Sequence, residues 1–428
     1  MLNDALILFA GFAFLAILRL PIAFALILSS LPFFITNDRL TPWVMTQRLY
    51  SGTDSFVLLA VPFFILAGNI MNAANVTEKL ITLAHAGVGH IRGGLAMVNV
   101  AVCMVFAGIS GSSTADTAAV GSVLIPQMRK RGYSPEFSVA LTAAGSVMGV
   151  IIPPSILMVV WGAYTNTSIG ALLLGGVVPG LMIGLTLMGS AYIIATRQGY
   201  PKEERLAITA VLGALRDSVL ALGVPVVVIG GIVLGLVTPT EASVLAVLYA
   251  LFLGLVVYRT IRLRDLPRVF MESGRLSSLS LFALAGASVF AYLLAYYRLP
   301  YALSTLIGET PPSLLLPIIV VMWLIIGTFM DALPAMAIMI PVFGPSVAAS
   351  GLNPVHYGVV SVVALAIGLI TPPYGLCLLL AAAIGNIPVS RALRYTGLFL
   401  ILLCIIAFVI TFVPETVLWL PSVFGAKY

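Results

Sequence analysis

Between Phe106 and Asp116 an apolar run gives way to small and hydroxylated residues, Phe-Ala-Gly-Ile-Ser-Gly-Ser-Ser-Thr-Ala-Asp. Ser110, Ser112, Ser113 and Thr114 supply oxygens in an apolar setting, and Gly108 and Gly111 let main-chain carbonyls approach a ligand closely. An uncharged, oxygen-rich set of this kind suits a hard cation such as Na+, or the oxygens of an anionic ligand. Dense small residues also let membrane helices pack tightly, so both readings stay open on these residues alone. A second segment, Gly327-Thr-Phe-Met-Asp-Ala-Leu-Pro334, has fewer hydroxyls but keeps an acid, Asp331. Ionisable groups inside apolar spans are costly and mark functional sites. An acid just before a helix also steadies that helix without any ligand, which is the competing role for Asp116 and Asp331.

Each segment is followed by the same interruption. Gly132-Tyr-Ser-Pro135 and Gly149-Val-Ile-Ile-Pro-Pro-Ser155 return as Gly351-Leu-Asn-Pro354 and Gly368-Leu-Ile-Thr-Pro-Pro-Tyr374, 219 residues later; Asp116 and Pro126 match Asp331 and Pro341 at 215. A Pro-Pro pair removes two backbone donors and disfavours helical geometry before it, so each run is expected to break into two half-helices. Unwound carbonyls can coordinate sodium, and half-helix N-termini present partial positive charge to an anion. On i, i+3, i+6 spacing, Gly149, Ile152 and Ser155 are expected to face the first segment, and Gly368, Thr371 and Tyr374 the second. Two Na+ sites follow: Ser110 and Ser112 with the Gly149–Ser155 break, and Gly327 and Met330 with the Gly368–Tyr374 break. Main-chain oxygens dominate the second, with Thr371 its hydroxyl. Ser113, Thr114, Asp116, Asp331, Pro153 and Pro372 are the candidate contacts for a carboxylate lying between the two segments. No Arg or Lys is near; Arg129 to Arg131 lie beyond the end of the first segment.

The elements that must position these residues are membrane helices. Of 428 residues, 61% are hydrophobic and 8% charged, against roughly 25% in soluble domains. At about 20 residues per span, ten crossings are expected, near 4–18, 20–36, 56–72, 138–166, 168–196, 218–237, 239–257, 281–298, 354–385 and 396–414. Residues 94–126 and 313–349 are too long for one crossing and polar near the middle, so each is expected to be a re-entrant hairpin. The fold class is therefore an all-α polytopic membrane protein built from two inverted repeats, 1–196 and 218–428, joined by a cytoplasmic linker, 197–217. Each repeat has five crossings and one hairpin, and an odd number inverts the second repeat.

Loop charge supports that inversion. Arg129-Lys-Arg131 should be cytoplasmic. Counting outward places Arg19, Lys79, Arg92, the 197–217 loop, the five arginines between 259 and 275, Arg391 and Arg394 inside. Both termini fall outside, and the loop after the second hairpin, Ser346 to Asn353, is uncharged. The basic excess, +6 overall, thus reads as topology rather than nucleic-acid binding. The N-terminus lacks a basic n-region, so its first apolar run is expected to be retained. Residues 74–92 and 259–275 are either interfacial helices or solvated linkers.

Other polar residues have plainer readings. Glu241 is a first-turn helix acid, with Thr240 as cap. Asn166 and Asn386 are loop caps, and His85, His90 and His356 take surface roles. Cys103, Cys377 and Cys404 act as small buried hydrophobes. No phosphate loop, nucleophile elbow or zinc motif is present, so ATP hydrolysis and enzyme chemistry are excluded in favour of a gradient-driven secondary transporter. A sodium–proton or oxyanion exchanger of the same architecture is the alternative, favoured if protons couple through Asp116 or Asp331.

In combination, Ala107-Gly-Ile-Ser-Gly-Ser-Ser-Thr-Ala-Asp116, Gly149-Val-Ile-Ile-Pro-Pro-Ser155, Thr238-Pro-Thr-Glu-Ala242, Asn353-Pro-Val-His356 and Ala366-Ile-Gly-Leu-Ile-Thr-Pro-Pro373 resemble the large membrane subunit of TRAP (tripartite ATP-independent periplasmic) transporters. The resemblance covers essentially the whole chain. It implies a sodium-driven importer of organic acids, such as sialic acid or C4-dicarboxylates, in the bacterial inner membrane. It also implies an elevator mechanism, a separate small four-helix membrane subunit and a periplasmic substrate-binding protein.

Overall fold

The computed structural model describes residues 2–18, 20–37, 39–201, 208–307 and 311–425. They form helices and connecting turns, with no strand among the described residues. Arg19, Lys202 and Arg205, on which part of the charge argument rested, lie outside them.

Five helices open the chain: α1 (Leu2–Ile17), α2 (Ile22–Thr36), α3 (Pro42–Ser51), α4 (Ala60–Ala73) and α5 (Val76–Val88). The first hairpin follows as α6 (Gly94–Ser110) and α7 (Ser113–Lys130), then the broken helix as α8 (Pro135–Ser146) and α9 (Ile156–Thr165), then α10 (Ile169–Gln198). After α11 (Ile208–Ser218) the pattern returns: α12 (Gly223–Val233), α13 (Pro239–Phe252), α14 (Leu266–Tyr296), α15 (Leu299–Ile307), hairpin α16 (Pro312–Gly327) and α17 (Ala332–Ser350), broken helix α18 (Pro354–Gly368) and α19 (Leu376–Gly385), and α20 (Val389–Phe412). A last helix, α21 (Glu415–Val423), packs on α10.

The local causes repeat as well. Ser134 and Asn353 cap α8 and α18, each ahead of a proline at N1, where a missing N–H costs nothing. Asn166 and Asn386 end α9 and α19 in the left-handed region, which Asn tolerates. Both Pro-Pro bonds, 153–154 and 372–373, are cis.

Packing exchanges the repeats pairwise. Helix α2 lies on α14 and α4 on α13; α8 lies on α20 and α18 on α10; α7 lies on α19 and α17 on α9. Where α9 meets α18 and the second hairpin, Trp161 lies 5.0 Å from Tyr357 and 5.7 Å from Trp323, with Phe343 5.5 Å from Trp323. Arg129 Nη1 donates to the Gly385 carbonyl at 2.9 Å, a cation on the carbonyl end of α19.

Several expected boundaries move. The crossing drawn at 218–237 is a bent pair, Val211–Ser218 with Gly223–Val233, meeting at 49°. Much of the expected linker is therefore helical. The 259–275 segment is neither a separate interfacial helix nor a linker: from Leu266 it merges into the 31-residue α14. Residues 74–92 contain α5, whose Val76, Thr77, Leu80 and Ile81 are buried, chiefly against α6 and α11. Among the described residues six helices are long and apolar enough to cross a membrane, or seven with the bent pair. The 16-residue α1 and 15-residue α2 fall short of a full span, about 24 and 22 Å at 1.5 Å per residue.

Candidate functional site

The first hairpin turns at Gly111, whose φ of 64° is one that residues with side chains rarely adopt. Ser112 then caps α7, accepting from the Ala115 N–H at 3.5 Å, with its hydroxyl 3.1 Å from that of Thr114. Ser110, on the last turn of α6, donates its hydroxyl to one Asp116 carboxylate oxygen and accepts the Ser112 N–H at 3.2 Å. The other Asp116 oxygen is fully buried and has no hydrogen-bond partner among the described residues. An unpaired carboxylate oxygen away from water is expensive unless a cation meets it or a proton neutralises it. Gly149 closes this pocket. A Cβ there would run into the Asp116 carboxylate and stand 3.0 Å from the Ser112 carbonyl carbon.

The first break holds the hairpin tip through its backbone. The Ile156 N–H donates to the Gly111 carbonyl at 3.3 Å, and a Cβ on Gly111 would lie 2.8 Å from the Pro154 carbonyl. Ser113 donates to the Val147 carbonyl at 3.3 Å. Of the three break residues expected to face the hairpin, Gly149 does. Ile152 instead packs its side chain on Gly180 of α10. Ser155 caps α9, accepting the Met158 N–H at 3.2 Å, and donates to the Val150 carbonyl.

At the second hairpin the contact is backbone on backbone. A Cβ on Gly327 would lie 3.1 Å from the Gly368 Cα and 3.2 Å from the Leu365 carbonyl. The Tyr374 N–H donates to the Thr328 carbonyl at 3.2 Å, so Gly368 and Tyr374 both meet the hairpin. Thr371 donates to the Ile367 carbonyl at 2.9 Å, which leaves the hydroxyl lone pairs free. Met330 is buried, and its N–H donates to the Ile326 carbonyl at 3.2 Å. Asp331 occupies the N-cap position of α17 but makes no side-chain capping bond.

Both hairpin tips open on one cleft of about 80 Å³. The start of α7 lines it with Ser112, Ser113 and Thr114, and the start of α17 with Asp331, Ala332 and Leu333. Val150, Ile156, Leu157 and Leu369 come from the two broken helices, and Ile65 and Ser280 from α4 and α14. Among the described residues its lining contains no Lys or Arg. A larger cavity of about 550 Å³, between the start of α10 and the α12–α13 turn, has no ionisable residue among the described residues of its lining.

Three substrate candidates fall elsewhere. Asp116 is tied to Ser110 behind the first tip and does not line the cleft. The Pro153 carbonyl is turned to Gly108, 3.5 Å from where a Cβ would stand, and Pro372 is exposed; neither lines the cleft. The pairing of Asp116 with Asp331 is also one helical turn out of register. In the frame of 219 that joins Gly108 to Gly327 and Gly149 to Gly368, Ser112 matches Asp331 as N-cap, and Pro126 matches Pro345. Asp116 then stands opposite Ala335.

Smaller corrections concern single residues. His356 is 4% exposed, with Nε2 2.8 Å from the Ile410 carbonyl. Thr238, not Thr240, caps α13, in a capping box with Glu241. Of the apolar cleft residues, Ile65, Ile156 and Leu157 lie outside every motif, whereas Val150, Leu369, Ala332 and Leu333 sit inside the repeated segments. Ser280 lies on α14 with Ser273 and Ser277 at helical spacing, a pattern that could have marked it.

A family model described as the DctM component of the tripartite ATP-independent periplasmic transporter matches residues 9–416. The chain is 38% identical over 380 residues to the C4-dicarboxylate TRAP transporter large permease protein DctM of Pseudomonas aeruginosa, covering 88% of this chain and 89% of that protein. It is 36% identical to the sialic acid TRAP transporter large permease protein SiaM of Vibrio cholerae, covering 95% of each. The 2,3-diketo-L-gulonate TRAP transporter large permease protein YiaN of Escherichia coli is 36% identical over 93% of this chain and 94% of its own. The crystal structure of the Alcanivorax borkumensis YdaH transporter superposes with a TM-score of 0.62 at 14% identity, over 91% of this chain and 90% of that one, and shares the fold. The chain is a multi-pass transporter subunit rather than an enzyme, and it belongs to the DctM component family of tripartite ATP-independent periplasmic transporters.

Proposed function

We propose that this protein is the large membrane subunit of a sodium-coupled importer of a small organic acid. The observation that carries the reading is the cleft shared by the two hairpin tips, with hydroxyls and one acid but no basic side chain among the described residues of its lining. A carboxylate bound there must take its positive complement from bound Na+ and from the first N–H groups of α7 and α17. The first ion is assigned to Ser110, Ser112 and the Gly149 turn, with Asp116 as the charge behind it. The second is assigned to Gly327, Met330, Gly368, Thr371 and Tyr374. Relatives are named for C4-dicarboxylates, sialic acid and 2,3-diketo-L-gulonate, so the substrate class is a small carboxylate.

The hairpins and broken helices, 94–166 and 313–385, move as one body against the α2, α4, α13 and α14 scaffold in an elevator mechanism. They work in the inner membrane with a small four-helix subunit and a periplasmic binding protein. The assay is uptake of labelled acids by the reconstituted three-component system under an imposed sodium gradient. Uptake driven by sodium and unaffected by a proton gradient is the expected result. Uptake driven by protons alone would favour the exchanger reading.

A further inference from the structure

The polar groups that line the cleft stand on two separate bodies. Ser112, Ser113, Thr114 and Asp331 belong to the hairpins, whereas Ser280 and its neighbour in the lining, Ile65, stand on α14 and α4. Those two helices are held together, with Asn69 Nδ2 donating to Ser273 Oγ at 2.8 Å. They also touch the hairpins directly: α14 packs along α17, and a Cβ on Gly68 of α4 would lie 3.4 Å from the Ser110 Cα. The space the cleft offers, about 80 Å³, is far below the roughly 300–1,000 Å³ of ligand pockets. A molecule the size of a C4-dicarboxylate enters only if one wall gives way. The hairpin tips are pinned to the breaks by backbone bonds at Gly111–Ile156 and Thr328–Tyr374, so the wall free to separate is the scaffold one.

We propose that Ser280 and Ile65 are the scaffold half of the substrate site. Ser280 is its polar, specificity-determining contact, and the pair meets the substrate only while the hairpin body lies beside it. This rests on the transport reading above. Hairpin contacts travel with the substrate, whereas Ser280 stays behind, so its hydroxyl tunes affinity in one position of the body and not the other.

The test compares thiol modification at two cleft positions, S280C on the scaffold and T114C on the hairpin. Both are made in a C404A background of the full complex, since Cys404 is half-buried and Cys103 and Cys377 are fully buried. A small anionic methanethiosulfonate is applied in sodium buffer, with succinate, N-acetylneuraminate or isethionate as probes. A probe at ten times its Kd should slow modification roughly tenfold, by occupancy, at both positions. Protection of T114C with an unchanged rate at S280C would overturn the scaffold assignment and leave the transport reading intact. Protection of neither by any probe would overturn the cleft as the substrate site, and this inference with it. If S280C misfolds, S280A replaces it: raised KM with unchanged sodium dependence supports the contact, and unchanged KM removes it.

Discussion

Asp116 has one carboxyl oxygen bonded to Ser110 and the other buried without a partner among the described residues. If its charge helps hold the first ion, D116N removes it while nearly preserving shape. The half-saturating sodium concentration of uptake should then rise by roughly 5- to 150-fold, the usual span of 1–3 kcal/mol couplings. An unchanged sodium dependence in a normally folded variant would make the acid structural. T371V tests the second ion in the same way. Its hydroxyl already donates to Ile367, so the lost feature is an acceptor, and a smaller rise in required sodium is expected. Residue-level legibility was uneven for a physical reason. Hydroxyls and acids in an apolar run announce themselves, so Ser112, Ser113, Thr114 and Asp331 were readable. Which of two acids lines the cleft depends on a one-turn shift: the 215 spacing pairs Asp116 with Asp331, whereas the 219 spacing of the glycines pairs Ser112 with it. Ile65 and Leu157 differ from no other core residue until the helices are packed.

Among the elements, the two broken helices depend on glycines that admit a neighbour. G149A sets a methyl against the Asp116 carboxylate, and G368A sets one against the Gly327 backbone. Each should cost about 1–3 kcal/mol and abolish uptake, because neither the carboxylate nor the facing backbone can withdraw far. G189A, where a methyl meets nothing within 4 Å, should transport normally and serves as the control. Thermal stability and uptake, read together, separate overpacking from simple misfolding. T238A, by contrast, removes a helix cap remote from the cleft. It should lower stability by about 1 kcal/mol without changing sodium dependence. Hairpins and breaks were legible because Gly, Pro and hydroxyl residues interrupt apolar runs with identifiable consequences for the backbone. The start of α14 was not. Its charged first turns, with Arg268, Glu272 and Arg275, resemble a surface segment although they continue one helix into the apolar span.

On the scale of the whole molecule, pairwise exchange of packing partners agrees with two repeats of opposite orientation. The expected topology puts both termini in the periplasm. Alkaline phosphatase fused after Tyr428 should be active, and the same enzyme inserted at Gly132, beside Arg129-Lys-Arg131, should be inactive. Activity at Gly132 would reverse the assignment. Bound sodium is proposed to build the substrate site, because no basic side chain among the described residues lines the cleft. Ion and substrate must then each raise the other's affinity by the same factor. The direct measurement is the affinity of the purified complex for its transported acid in sodium buffer and with choline in place of sodium. The account predicts binding roughly 5- to 150-fold tighter in sodium; equal affinities in the two buffers would contradict it.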